Sequence, residues 1–177
     1  MSINHLQLVN QKLAFASSII ASLTASSDNT ATISKLQQQS LKDAAVFHLA
    51  TALHFYVREL AEQHRITGLQ VIFSIADLVS TLQKLDKYSS EASELLEIEQ
   101  TNNSWLNQLT RYHTQLFRSP EKVKEKKAFG QGNAINVIEL TEAEEIASLD
   151  LTVNLLEIWQ NEFRALIARQ RETTAEY

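Results

Sequence analysis

Residues 41–66 read LKDAAVFHLATALHFYVRELAEQHRI, the most apolar continuous run in the chain. Val46, Leu49, Ala50, Leu53, Val57, Leu60 and Ala61 recur at steps of three and four, so on a helix they share one face. Ala45, Ala52, Phe55 and Tyr56 widen that face until few sides remain for water. A helix that is apolar most of the way round is buried among other helices. The stretch therefore predicts the long central helix of an all-α bundle.

Composition points the same way. Three glycines and one proline in 177 residues leave little material for turns and hairpins. The length suits one domain, expected to span 1–177. Without cysteine the chain has no disulfide, thiolate metal site or cysteine nucleophile, which fits a cytoplasmic protein. Asn10, Gln11 and Lys12 interrupt the apolar character of MSINHLQLVNQKLAFASSII, so no leader is expected there. No apolar stretch has the length to span a bilayer. A formal net charge of −5 gives no bias towards nucleic acid or anionic membrane.

Outward from the central run, Leu6, Val9, Leu13, Ala16, Ile20 and Leu23 give a seam for a first helix over Ser2 to Leu23. TASSDNTAT, Thr24 to Thr32, reads as a loop because its side chains compete for backbone hydrogen bonds. The central helix is expected to start near Thr32 or Ser34 and stop near Gly68, with Gly68 as its C-cap and Arg65 in its last turn. Ser74-Ile75-Ala76-Asp77 has the form of a capping box, followed by Ile75, Leu78, Val79, Leu82 and Leu85 at helical spacing. Ser89 or Ser90 can cap a shorter acidic helix through Glu99. Ser104 to Phe117 and Asp150 to Arg171 complete an expected bundle of four to five helices, and ETTAEY is expected to fray. Arg118 to Asn133 holds the proline, two glycines and four lysines, which predicts a mobile linker at 118–133. Ile135 to Leu140 is read as a short extended segment before the last helix.

Chemistry is sparse. His48 and His54, six residues apart on one helix, point about 120° away from each other and cannot share a metal. No Glu-x-x-His or His-Glu-x-x-His motif occurs. No metal or cofactor is expected. The plainer reading makes His48 a hydrogen-bonded core residue and His54 a boundary residue. Trp105 and Trp159 read as core anchors. Arg111, Arg118, Lys122, Lys124, Lys126 and Lys127 form a basic segment at 111–127 that could take nucleic acid, with Tyr112 and Phe117 for stacking. Glu121 and Glu125 dilute it, and no basic residue lies between Lys127 and Arg164, which favours a solvated segment over a nucleic-acid partner.

Arg58 and His64, in RELAEQH, resemble the R-x(4–6)-H signature of HEPN-domain ribonucleases. That resemblance implies a phosphate-holding arginine and a proton-relaying histidine at a dimer interface. Against it, Glu59 follows the arginine directly and would repel phosphate. The plainer reading is an Arg58–Glu62 salt bridge with His64 exposed in the terminal turn. A broader likeness rests on Asn10 to Ala16 (NQKLAFA), Ala45 to Leu49 (AVFHL), and Trp105-Leu106 followed by Leu109. These resemble an uncharacterised family of small gammaproteobacterial proteins, a domain of unknown function. The likeness implies a bacterial helical protein and no transferable activity. The expectation is thus a soluble, non-enzymatic helical bundle acting through a protein partner, with a homodimer left open. A ribonuclease using Arg58 and His64, and a nucleic-acid accessory using 111–127, are the alternatives.

Overall fold

The computed structural model describes residues 4–28, 34–118 and 150–175. Among them all regular structure is helical: α1 His5–Asp28, α2 Lys35–Gln63, α3 Ile75–Lys84, α4 Ser90–Gln100, α5 Trp105–Gln115 and α6 Val153–Ala175, with a 3-10 turn at Leu69–Val71. Each of the six helical segments read from the sequence is present among the described residues, in a bundle expected to pack four to five of them. The segment 135–140 and all of 118–133 but Arg118 lie outside the described residues.

The longest helix is α2, with Val46, Leu49, Leu53, Tyr56, Val57 and Leu60 among its buried residues. α1 runs antiparallel along it: His5 meets Phe55 and Glu62 near its far end, and Phe15 meets His48 near its middle. α6 in turn runs antiparallel to α1. Thr24 donates to Glu157, Gln160 and Arg164 donate to Ser17, and Arg171 donates to Asn10. α5 lies antiparallel to α6, with Trp105 stacked on Phe163 and Trp159 Nε1 donating to Gln108. Trp159, Tyr56 and Phe163 are the bulkiest fully buried side chains, so the core sits where α2, α5 and α6 converge.

Several boundaries differ from the sequence reading for local reasons. The loop expected from Thr24 starts later, because α1 continues to Asp28. The Ser22 and Thr24 hydroxyls bond back to the carbonyls of Ser18 and Ile20, so they are satisfied inside the helix. Leu6 and Leu85, assigned to buried faces, are 42% and 49% exposed. α6 begins after Thr152, whose Oγ1 accepts from the Leu155 N–H, and continues through Ala175 where fraying was expected. The capping box at Ser74 and Asp77 is present, as are the caps at Ser89 and Ser104.

The end of α2 is the clearest correction. Gly68, at φ +78°, starts the 3-10 turn; α2 stops at Gln63 with His64 as its cap. Arg65 N–H donates to Glu62 O and Ile66 N–H to Ala61 O, while Arg65 sits at φ +52°. This is a Schellman motif with arginine in the left-handed position usually held by glycine, and buried Ile66 closes it. A non-glycine residue there costs about 1–2 kcal/mol, partly offset because glycine loses more chain entropy on folding. Arg65→Gly is therefore expected to stabilise the protein by about 0.5–1 kcal/mol. A rise in urea midpoint at constant slope checks it; a fall would show that the arginine side chain contributes more than its backbone strain.

Candidate functional site

Phe47 and His54 lie on the flank of α2 that the core seam leaves open. Phe47 is 48% exposed and His54 half-buried. α5 crosses this flank, bringing His113 within 6.4 Å of Phe47 between ring centroids. The segment between the 3-10 turn and α3 crosses it further along. Arg58 Nε donates to Ile72 O at 3.1 Å, His54 Nδ1 lies 3.2 Å from Phe73 O, and Asp77 Oδ2 accepts from the N–H groups of Phe73 and Ser74. Those bonds hold the Phe73 ring stacked on His54 at 5.9 Å, with the Arg58 guanidinium 5.5 Å from its centroid.

These elements enclose a groove of about 400 Å³. Phe47, Phe73 and Phe117 are exposed among its walls, with His54, Glu99, His113 and Thr110 between them. Glu99, Thr110 and Thr114 also border a second recess of about 340 Å³ that includes Arg111 and Arg118. Apolar and basic compartments thus share a wall. From the groove, phenylalanine and histidine alternate across three helices. His113 packs edge-on to Phe117 at 5.1 Å, and Phe47 lies 6.0 Å from His48. His48 in turn lies 5.4 Å from Phe15.

Burial drives the titratable groups here towards their neutral forms. It lowers the pKa of His48, with nearby Lys12 adding to the effect. It lowers His54 too, aided by Arg58 and His5 and opposed by the Phe73 carbonyl, and it lowers His113. The same loss of water raises the Glu99 carboxyl. For a histidine whose folded pKa lies below its ordinary value of 6.5, folding favours the neutral ring. The stabilisation is complete above about pH 6.5 and is lost as pH falls from there through the lower folded pKa. The melting temperature is expected to fall by a few degrees between pH 7.5 and pH 5. A His48→Gln/His113→Gln variant should show a flatter profile over the same window. An unchanged profile would remove these rings as its cause.

The sequence candidates fall elsewhere. Arg58 borders the groove, but its Nε is committed to the Ile72 carbonyl. His64 caps α2, and its carbonyl accepts from Lys87 Nζ at 2.6 Å. No hydrogen bond or ion pair among the described residues joins Arg58 to His64. The expected Arg58–Glu62 salt bridge is replaced: Glu62 Oε1 lies 2.8 Å from His5 Nδ1. Glu59 points away from any site at Arg58, buried against Arg171 of α6. His48, expected to be hydrogen-bonded, has a buried Nδ1 with no partner among the described residues. Trp159 is fully buried, and Trp105 is partly so. Of the 111–127 segment, Arg111 and Arg118 are exposed on and just past α5, and the lysines lie outside the described residues.

Sequence reasoning missed Phe73, Glu99 and His113. Phe47 carried a signal, being a large apolar residue beside the seam formed by Val46 and Leu49. Chemically, the groove can bury an apolar side chain and offer neutral imidazoles and hydroxyls as hydrogen-bonding groups. Among the described residues no group of three or more His, Cys, Asp or Glu could hold a metal ion. None of their helices is long and apolar enough to cross a membrane.

No curated protein and no solved structure matches the chain. Over residues 1–177 it matches, and therefore belongs to, the family of unknown function DUF6586.

Proposed function

We propose that the protein is a non-enzymatic interaction module that receives an apolar segment of a protein partner in the groove between α2 and α5. One observation carries this reading: Phe47, Phe73 and Phe117 are 48%, 63% and 71% exposed around one recess. The same bundle buries Trp159, Tyr56 and Phe163 completely. Contiguous exposed apolar surface rimmed by polar groups marks interaction sites, and helix-in-groove docking reads such surfaces through spaced apolar anchors. The volume falls in the range of ligand-receiving clefts, about 300–1,000 Å³. A cysteine-free chain is at home in a reducing cytoplasm, and that setting is part of the reading.

The test is nuclear magnetic resonance with a leucine-rich amphipathic helical peptide. Shifts confined to residues around Phe47, Phe73 and His113 are expected, and Phe73→Ser/Phe117→Ser should abolish them while circular dichroism stays unchanged. Both rings are exposed, so their loss should cost about 0.5 kcal/mol of stability or less. Shifts elsewhere would overturn the reading. So would RNA cleavage by the wild type that an Arg58→Ala/His64→Ala variant lacks.

A further inference from the structure

We infer that the partner segment is an acidic amphipathic helix, whose apolar face enters the groove and whose carboxylates meet Arg111, Arg118, Arg58 and Lys12. The inference rests on the interaction reading above and adds the sign of the partner's charge.

The protein as a whole carries −5, yet four cations stand along the aromatic surface. Lys12 Nζ lies 5.5 Å from the Phe15 ring and the Arg58 guanidinium 5.5 Å from Phe73. Arg111 and Arg118 border the recess that shares Glu99, Thr110 and Thr114 with the groove. Among the described residues none of these four cations has a carboxylate within ion-pair distance. Carboxylates stand near the same surface as well, among them Asp43, which accepts from Gln39 and from the Tyr112 hydroxyl. Asp77 is spent on the N–H groups of Phe73 and Ser74. Glu99 sits half-buried between the two compartments.

A ligand that fits must therefore do two things. It must fill an apolar recess walled by phenylalanine, and it must bring negative charge to the flank beyond α5. A helix with leucine or aromatic anchors at i, i+3 or i+4, and glutamate or aspartate beside them, presents both at the right spacing. Single-stranded nucleic acid brings negative charge and flat rings for stacking. It has no aliphatic side chain for the recess, however, and its phosphates would pass Glu99. Complementary charge of this kind sets specificity and association rate more than total affinity.

The probes are two fluorescein-labelled peptides of about four helical turns. They share one leucine face, and one carries glutamate on its flanks where the other carries lysine. Fluorescence anisotropy on the full-length protein is expected to show the glutamate peptide binding at least about tenfold more tightly. Its affinity should weaken between about 50 and about 300 mM salt. Arg111→Glu/Arg118→Glu should reverse the preference, and Phe73→Ser/Phe117→Ser should abolish binding of both peptides. Equal affinities, or tighter binding of the lysine peptide, with loss in the phenylalanine variant, would overturn the charge inference and leave the groove reading intact. Binding of neither peptide, or binding indifferent to the phenylalanines, would overturn both. Oligouridine binding that needs the arginines and not the phenylalanines would also overturn both, in favour of a nucleic-acid surface. A homodimer in sedimentation equilibrium that the phenylalanine variant dissociates would assign the groove to a second copy and overturn the inference.

Discussion

Replacing Glu59 with alanine is expected to lower the unfolding free energy by about 3–5 kcal/mol, measured by urea denaturation. Glu59 is 4% exposed, on α2 inside the bundle. Its Oε1 accepts from Arg171 Nε at 2.8 Å and its Oε2 from Arg171 Nη2 at 2.8 Å, a two-point fork. Arg171 Nη1 donates to Asn10 Oδ1 at 3.1 Å, so one guanidinium ties α6 to both α1 and α2. Next to it, Tyr56 donates to Gln170, and Gln170 donates to Glu94 of α4. The Tyr56 hydroxyl is driven far above its ordinary pKa by burial first and by Glu59 second, which marks the region as short of water. Removing the carboxylate leaves a guanidinium that is only about a quarter exposed without its counter-charge. Removing Arg171 instead leaves Glu59 bare, and the cost should be similar. Replacing both with methionine should cost less than either single change, because a buried pair's desolvation nearly cancels its attraction. A loss below about 1 kcal/mol for Glu59→Ala would show that the pair is effectively solvated.

That network also explains why part of the fold was legible in the sequence and part was not. Periodicity identified α2 from Val46 to Ala61, and the Ser74 capping box and the cap expected at Ser89 or Ser90 located the starts of two more helices, because such signals are local. Glu59 was read as a neighbour of Arg58. On the helix it faces α6, and its partner lies 112 positions further along the chain. No spacing rule within α2 could pair it. The end of α2 was misplaced for a different reason. Glycine is the usual marker of such an end, whereas here the left-handed position is held by Arg65, with the 6→1 bond of Ile66 fixing the turn.

The groove shows the same limit more strongly. Phe47 and His54 come from α2, Phe73 from the segment before α3, Glu99 from α4, and His113 and Phe117 from α5 and its end. Each is unremarkable on its own element. An exposed phenylalanine becomes informative only when the bundle sets others beside it, and which helices are neighbours is decided by packing rather than by periodicity. The arginines at 111 and 118 were seen as a basic segment. Their place beside an apolar recess depended on the way α5 lies against α2.

Trp159→Ala is expected to cost about 3–5 kcal/mol and to weaken the groove from behind. Trp159 is fully buried on α6, packs edge-on against Tyr112 at 6.5 Å, and donates through Nε1 to Gln108 Oε1 at 3.1 Å. Both contacts are to α5. Removing the indole opens a cavity and leaves the Gln108 carbonyl oxygen without its donor. Trp159→Phe keeps more of the volume and should cost less, but still about 1–3 kcal/mol for the orphaned amide and the smaller ring. Combining it with Gln108→Leu should recover part of that loss, because both polar partners then leave together. Trp105→Ala should cost less than Trp159→Ala, since Trp105 is only partly buried where it stacks on Phe163. Urea unfolding followed by circular dichroism gives the order. The consequence for the site follows from geometry: α5 holds Trp159 through Gln108 and Tyr112 and presents His113 and Thr114 to the groove. Amide exchange across Trp105–Gln115 should accelerate in Trp159→Phe well below the unfolding midpoint, and peptide affinity should fall with it. Unchanged exchange in α5 would mean that α2 and α4 alone hold that helix in place.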